Sequence, residues 1–233
     1  MTTMNTHSIP GFYEPFSAMT HLLGAAVFLG FGIKLLLRSR GSKGRVAYFA
    51  VYVFSGVFLL SMSGVYHMLA EGTTGRNVLG RLDYAAIFAL IAGTHTPVQG
   101  LFFRGVARWL PIVLMWAAVA TGVTLFSVFY HDLPYGLGNS IFLGLGWLAG
   151  LSGLIVWRRV GTQELKLLIG GGVAYSLGAL LMAMDWPVII PGVVGTHELW
   201  HVAVLIAMCM HWRFLRNHAQ FSISGPPPRK AKP

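Results

Sequence analysis

Charge is scarce in this chain. Only 10% of its 233 residues are Asp, Glu, Lys or Arg, while 55% are hydrophobic. So little charge over so much apolar side chain excludes a soluble domain and points to a polytopic helical membrane protein. Acids are scarcer still: 7 Asp and Glu stand against 17 Lys and Arg. The resulting charge of +10 does not argue for nucleic acid, because most of the basic residues lie in short loops beside apolar runs. That placement is what the positive-inside rule produces. Cysteine is nearly absent. Cys209 is the only one, so no internal disulfide is possible and no redox compartment follows. The start, Met1 to Phe16, lacks the basic stretch of a signal peptide, so the first apolar run is expected to be retained.

What is present is a series of apolar runs. A spanning helix needs about 20 mostly apolar residues, and seven candidates qualify: Ala18–Leu37, Ala47–Leu69, Leu82–Phe103, Leu110–Phe129, Tyr135–Trp157, Leu165–Met184 and Val193–Phe214. Short polar or Gly/Pro-bearing turns separate them, Ser39–Arg45 and Trp186–Gly192 among them. The expected architecture is all-α: a seven-transmembrane helix bundle over residues 18–216. A short N-terminal segment, 1–17, precedes it. A basic tail, 217–233, with Pro226, Pro227 and Pro228, is expected to be disordered. Glycines within the runs, Gly144, Gly146 and Gly170 to Gly172, are expected to let helix backbones approach closely.

Seven spans put the termini on opposite sides. Of all the Lys and Arg, only Arg76 and Arg81 fall on the side of the N-terminus. The expected orientation is therefore N-terminus outside and C-terminus cytoplasmic, in a bacterial inner or plasma membrane. Acids segregate the other way: Glu14, Glu71, Asp83, Asp132, Asp185 and Glu198 lie at or near the outer ends, and Glu164 alone lies on the basic side. Glu71 and Asp132 read as loop residues.

Polar clusters stand at the outer ends of these apolar runs. Glu14 with His21, Ser63 with His67, Asp83, and His197 with His201 are costly in a membrane and read first as functional. His197 and His201 are four apart and share one helix face, a spacing at which two neutral imidazoles can ligate one metal. His67 closes the second run at the same depth. Three histidines with an open fourth position form the usual donor set of a catalytic zinc. Ser63 lies one turn before His67, and Asp83 is expected to open the third helix. Either could hydrogen-bond a water at the metal or fix its orientation.

The bland readings compete with this one. A lone histidine at a span end is usually interfacial, and spacing does not bring the second, third and seventh helices together. Glu198 sits about 100° around the helix from His197, so it need not face the metal. A packing or interfacial role suits it better than that of general base. Asp185 ends the sixth run and reads as a cap. His95 lies about 18 Å along its helix from Asp83, too far to join the site, and is expected to bond to a neighbouring helix. His7, His131, His211 and His218 read as interfacial or loop-borne.

Ser63-Gly64-Val65-Tyr66-His67, Leu82-Asp83-Tyr84 followed by Ala92-Gly93-Thr94, and His197-Glu198-Leu199-Trp200-His201 resemble the progestin and adipoQ receptor family. The opening Glu14 and Thr20-His21-Leu22-Leu23-Gly24 fit as well, and the short termini look like the bacterial branch, the hemolysin III proteins. The resemblance implies seven helices and a zinc ion (Zn2+) held by His67, His197 and His201, with Ser63 and Asp83 in the shell around the metal and its water. It groups the chain with alkaline ceramidases in a wider set of membrane hydrolases. It includes Glu14 and His21 without giving them a role. One tension stands: eukaryotic adiponectin receptors place the N-terminus in the cytoplasm, whereas the charge distribution here places it outside.

Three functions follow as expectations. The first is zinc-dependent hydrolysis of a membrane lipid amide or ester, with Asp83 accepting or relaying the proton. The second is a non-enzymatic regulator or receptor with a structural zinc, or an ion or proton path. The third, pore formation, lacks the long amphipathic or secreted segment it would need. Nothing in the sequence fixes the oligomeric state.

Overall fold

The structure, a computed structural model, describes residues 7–130, 132, 134 and 136–220. Among them regular structure is helical: α1 (Pro15–Arg38), α2 (Lys43–Met68), α3 (Thr74–Phe102), α4 (Val106–Val128), α5 (Leu137–Gly150), α6 (Gly153–Val160), α7 (Thr162–Met184) and α8 (Thr196–Asn217). Only Leu151 and Ser152 separate α5 from α6, and the two together make one span-length unit, Leu137–Val160. Counting that unit once, six helices are long and apolar enough to cross a membrane: α1, α2, α3, α4, Leu137–Val160 and α7.

Every expected apolar run is helical, with edges set by local chemistry. α1 starts with Pro15 in its first turn, where a missing N–H costs nothing. α2 starts at Ser42, whose side chain accepts from the Arg45 amide at 3.4 Å. α3 begins at Thr74, eight residues before the expected Leu82, because Thr73 caps it by accepting from the Arg76 amide at 3.3 Å. Asp83 therefore lies well inside α3 rather than opening it. The fifth run is interrupted at Ser152, whose hydroxyl accepts from Gln99 Nε2 of α3. The last run starts at Thr196 rather than Val193, since Ile190 and Val194 close a hydrogen-bonded turn first.

Large apolar side chains cover much of the outer surface, and polar residues are buried within an otherwise apolar interior. On α1, Ser17 and His21 are buried while Leu23, Val27, Ile33 and Leu37 are exposed. Buried polar residues continue with Ser55, Ser63 and His67 on α2 and His95, Thr96 and Gln99 on α3. The helices close a ring in the order α1, α2, α3, α5, α7, α8 and back to α1, with α4 packed along the outside of α3. Aromatic and aliphatic side chains fill the α1–α2–α8 side, where Tyr52 donates its hydroxyl to the Met208 carbonyl at 3.0 Å.

Glycines work differently from expectation. A Cβ on Gly144 or Gly146 would meet nothing within 4 Å, so these two pack against no neighbour, and Gly146 faces a cavity. Gly170 and Gly171 do admit α8, but it is the side chains of Met210 and His211 that fill the space. Near the site, a Cβ on Gly64 would lie 2.7 Å from Leu22 Cγ of α1.

Candidate metal centre

The ring geometry brings the last turn of α2 against the first two turns of α8. His67 closes α2, and His197 and His201 stand one turn apart on α8. Nε2 of His197 lies 3.3 Å from Nε2 of His67 and 3.1 Å from Nε2 of His201. One ligand atom from each of the three lies within 4.8 Å of the others. A tetrahedral zinc with Zn–N bonds of about 2.0–2.1 Å places its ligand nitrogens roughly 3.3 Å apart, so the two measured edges suit such an ion. The three histidines are positioned to hold a metal ion, and the donor set fits zinc. His67 and His201 are almost fully buried.

Around the trio, α1 supplies two groups. His21 stacks on His201, with ring centroids 3.9 Å apart and planes 23° from parallel. Glu14, immediately before α1, sets Oε2 against Nδ1 of His67. The backbone repeats the join: the Glu14 amide donates to the His67 carbonyl at 3.0 Å, and the Tyr13 amide to that of Met68 at 3.2 Å. Arg76 completes the group. Its Nη2 donates to Glu14 Oε2 at 2.9 Å, its Nη1 donates to the Leu69 carbonyl, and its guanidinium lies over the rings of Tyr66 and Tyr13. Burial pushes the Glu14 carboxyl up, but the hydrogen bond with His67 and the Arg76 guanidinium hold it below the usual carboxylate range.

Ser63 lies on α2 one turn before His67, and Asp83 lies on α3. Both line a cavity of about 710 Å³ that also takes in His21, His197 and His201. The cavity extends between α3, α5, α7 and α8 along apolar walls such as Leu59, Ile87, Phe142, Leu143 and Val204, and reaches His95 and His211. A metal ion at the trio would thus sit at one end of a mostly apolar chamber of lipid-chain dimensions, beside a carboxylate and a hydroxyl.

Other expected residues fall elsewhere. Glu198 points away from the trio: Oε2 accepts from the Gly195 amide at 2.9 Å, closing the start of α8, and Oε1 accepts from Ser17 Oγ at 2.9 Å. Asp185 is the left-handed C-cap of α7 and accepts from Thr196 Oγ1 at 3.4 Å, tying α7 to α8. His95 is buried and lines the cavity, but its Nδ1 has no partner, so the expected bond to a neighbouring helix is not found at that atom. His211 is buried rather than interfacial and donates Nε2–H to the Leu168 carbonyl at 3.0 Å. His218, also buried, bonds through Nδ1 to the Phe214 carbonyl at 2.8 Å. His7 is exposed, and His131 lies outside the described residues. Arg76 went unnoticed as a site residue. The one signal for it was its isolation, as one of two basic residues on the acidic side.

A family model described as "Haemolysin-III related" matches residues 12–212, a stretch that contains Glu14, Ser63, His67, Asp83, His197 and His201. The chain is similar to "Hemolysin-3" of Bacillus cereus, 27% identical over 191 residues, 81% of this chain and 84% of that protein. It is similar to "Hemolysin-3 homolog" of Bacillus subtilis, 26% identical over 191 residues, 81% and 86% of the two chains. It is also similar to "ADIPOR-like receptor IZH2" of Saccharomyces cerevisiae, 29% identical over 187 residues, 70% of this chain and 57% of that protein.

Proposed function

The chain belongs to the haemolysin-III related family, within the progestin and adipoQ receptors, and from that membership we propose that it is a seven-helix, zinc-dependent hydrolase of a membrane lipid amide or ester. In this reading α8 is the seventh span. Its 22 residues reach about 33 Å at 1.5 Å per residue, and its polar residues, His197, Glu198, His201 and His211, face inward or cap its end. The N-terminus lies outside and the C-terminus in the cytoplasm, so the site faces the outer leaflet.

His67, His197 and His201 hold the metal. The chemistry that zinc supplies when bound is Lewis acidity, which makes a water nucleophilic near neutral pH. Asp83 would be the group that takes up the proton of a water attacking the acyl carbon. It then returns the proton to the departing nitrogen or oxygen as the C–N or C–O bond breaks. Ser63 orients the Asp83 carboxylate. The apolar walls from Leu59 to Val204 take the acyl chain and exclude water from all but the polar end. The observation that carries the reading is the shared lining: Asp83, Ser63, His197 and His201 open on one chamber of about 710 Å³.

The test is metal-loaded, purified protein against a panel of lipid amides and esters. Wild type turns over at least one. Asp83→Asn keeps the metal and loses turnover by about 10²–10⁴-fold, and His197→Ala loses both. Failure of the metal-loaded wild type on every substrate sinks the hydrolase. A metal that then raises thermal stability without turnover supports the second reading, a receptor or regulator with a structural metal, which the name of the yeast relative favours. The name of the Bacillus relatives suggests pore formation instead, and leakage of liposomes at low protein concentration tests that.

A further inference from the structure

Glu14 has a partner set that the hydrolytic reading leaves unused. We propose that Glu14, clamped by Arg76, is the positioning carboxylate of the metal ligand His67. The inference rests on the metal-binding reading of the trio and extends it outward to two residues on other elements.

Three observations meet here. Nε2 of His67 faces the Nε2 atoms of the trio; with Nε2 given to the metal, the ring's other nitrogen, Nδ1, carries the proton and needs an acceptor if the ring is to be held in one tautomer and one orientation. Glu14 Oε2 is in contact with that Nδ1. Placement of this carboxylate is not left to one contact, because the Glu14 amide donates to the carbonyl of the same histidine at 3.0 Å. Backbone and side chain of Glu14 thus grip backbone and ring of His67.

Arg76 then fixes Glu14. A charge this deep requires partners, and Arg76, only 7% exposed, has several: Glu14 Oε2, the Leu69 carbonyl, and the faces of Tyr66 and Tyr13. These partners belong to the segment before α1, the end of α2 and the residue that follows it. Arg76, one turn into α3, draws all of them together around His67. The early start of α3 has a use in this light, since a helix beginning at Leu82 would leave Arg76 in a loop. Arg76 does not touch the trio, so its effect on the metal passes through Glu14.

The experiment uses the full-length protein in detergent or nanodiscs, stripped by a chelator. Zn2+ affinity is read by competition with a chromophoric chelator, and ligand geometry by the visible spectrum of the Co2+ form. Glu14→Gln and Arg76→Gln are expected each to weaken Zn2+ binding by about 10–100-fold and to change the Co2+ bands. Because Arg76 acts through Glu14, the double variant should bind no more weakly than Glu14→Gln alone. Arg76→Lys keeps the charge and one donor and should recover part of the loss. It also supplies the measurement if Arg76→Gln fails to fold. Single variants that bind like wild type, or losses that add in the double variant, overturn the positioning role. Wild type that binds no divalent metal overturns the metal reading itself, a separate result.

Discussion

Nine histidines are spread through the chain, yet three turn Nε2 atoms toward one point. The pair His197 and His201 was legible because four residues on one helix fix a shared face whatever else the chain does. Their meeting with His67 depends on two helices 130 residues apart in sequence, and only the family resemblance suggested it. Glu14 and Arg76 were invisible as partners for the same reason: 62 residues separate them, and no local pattern joins a loop carboxylate to a guanidinium. His95 offers a test at this scale. Its Nδ1 is buried and unpartnered, a state that costs about 1–3 kcal/mol. His95→Leu should therefore leave the unfolding temperature unchanged or raise it. Zn2+ affinity should not move, because the residue lies about 18 Å along α3 from Asp83. A fall of several degrees would mean that the imidazole has a partner in the cavity.

Helices were the easiest level to read and their ends the hardest. Length and hydropathy mark a span, but a cap such as Thr73 or a side chain such as Gln99 inserted at Ser152 decides where a helix begins or breaks. Gly144 and Gly146 show the same limit, since abundance of glycine in a span does not say which ones meet a neighbour. Gly64 does. It lies on α2 one turn before His67, and its added Cβ would also approach the Leu22 amide of α1 at 3.1 Å. Gly64→Ala should cost about 1–3 kcal/mol through overpacking. It should also weaken Zn2+ binding, because α1 carries Glu14 at its start and α2 ends at His67. Gly30→Ala, with nothing within 4 Å of the new Cβ, is the control and should be neutral or stabilising. Thermal unfolding with a parallel metal titration reads both, and equal behaviour of the two variants would contradict the packing assigned to Gly64.

The whole molecule is a ring of helices with an apolar core, buried polar residues within it and large apolar side chains on its outer surface. The bulk of that was legible, because a bilayer leaves a chain with 55% hydrophobic residues few alternatives. The cavity was not, since its lining is drawn from α1, α2, α3, α4, α5, α7 and α8, whose order around the ring no run of residues reveals. The proposed orientation rests on the placement of Lys and Arg and is open to a direct check. In a Cys209→Ser background, Glu71→Cys should react with a membrane-impermeant thiol reagent added outside intact cells, and Arg40→Cys only after permeabilisation; the reverse pattern would place the site on the cytoplasmic side. On the proposed reading, His67, His197 and His201 hold a zinc ion whose remaining position belongs to no side chain. X-ray absorption at the zinc edge on the purified protein tests it most directly. Three imidazole nitrogens at about 2.0–2.1 Å and no fourth protein ligand are expected, with the zinc signal lost in His197→Ala. A protein that carries no zinc, or a zinc closed by a fourth side chain, would contradict it.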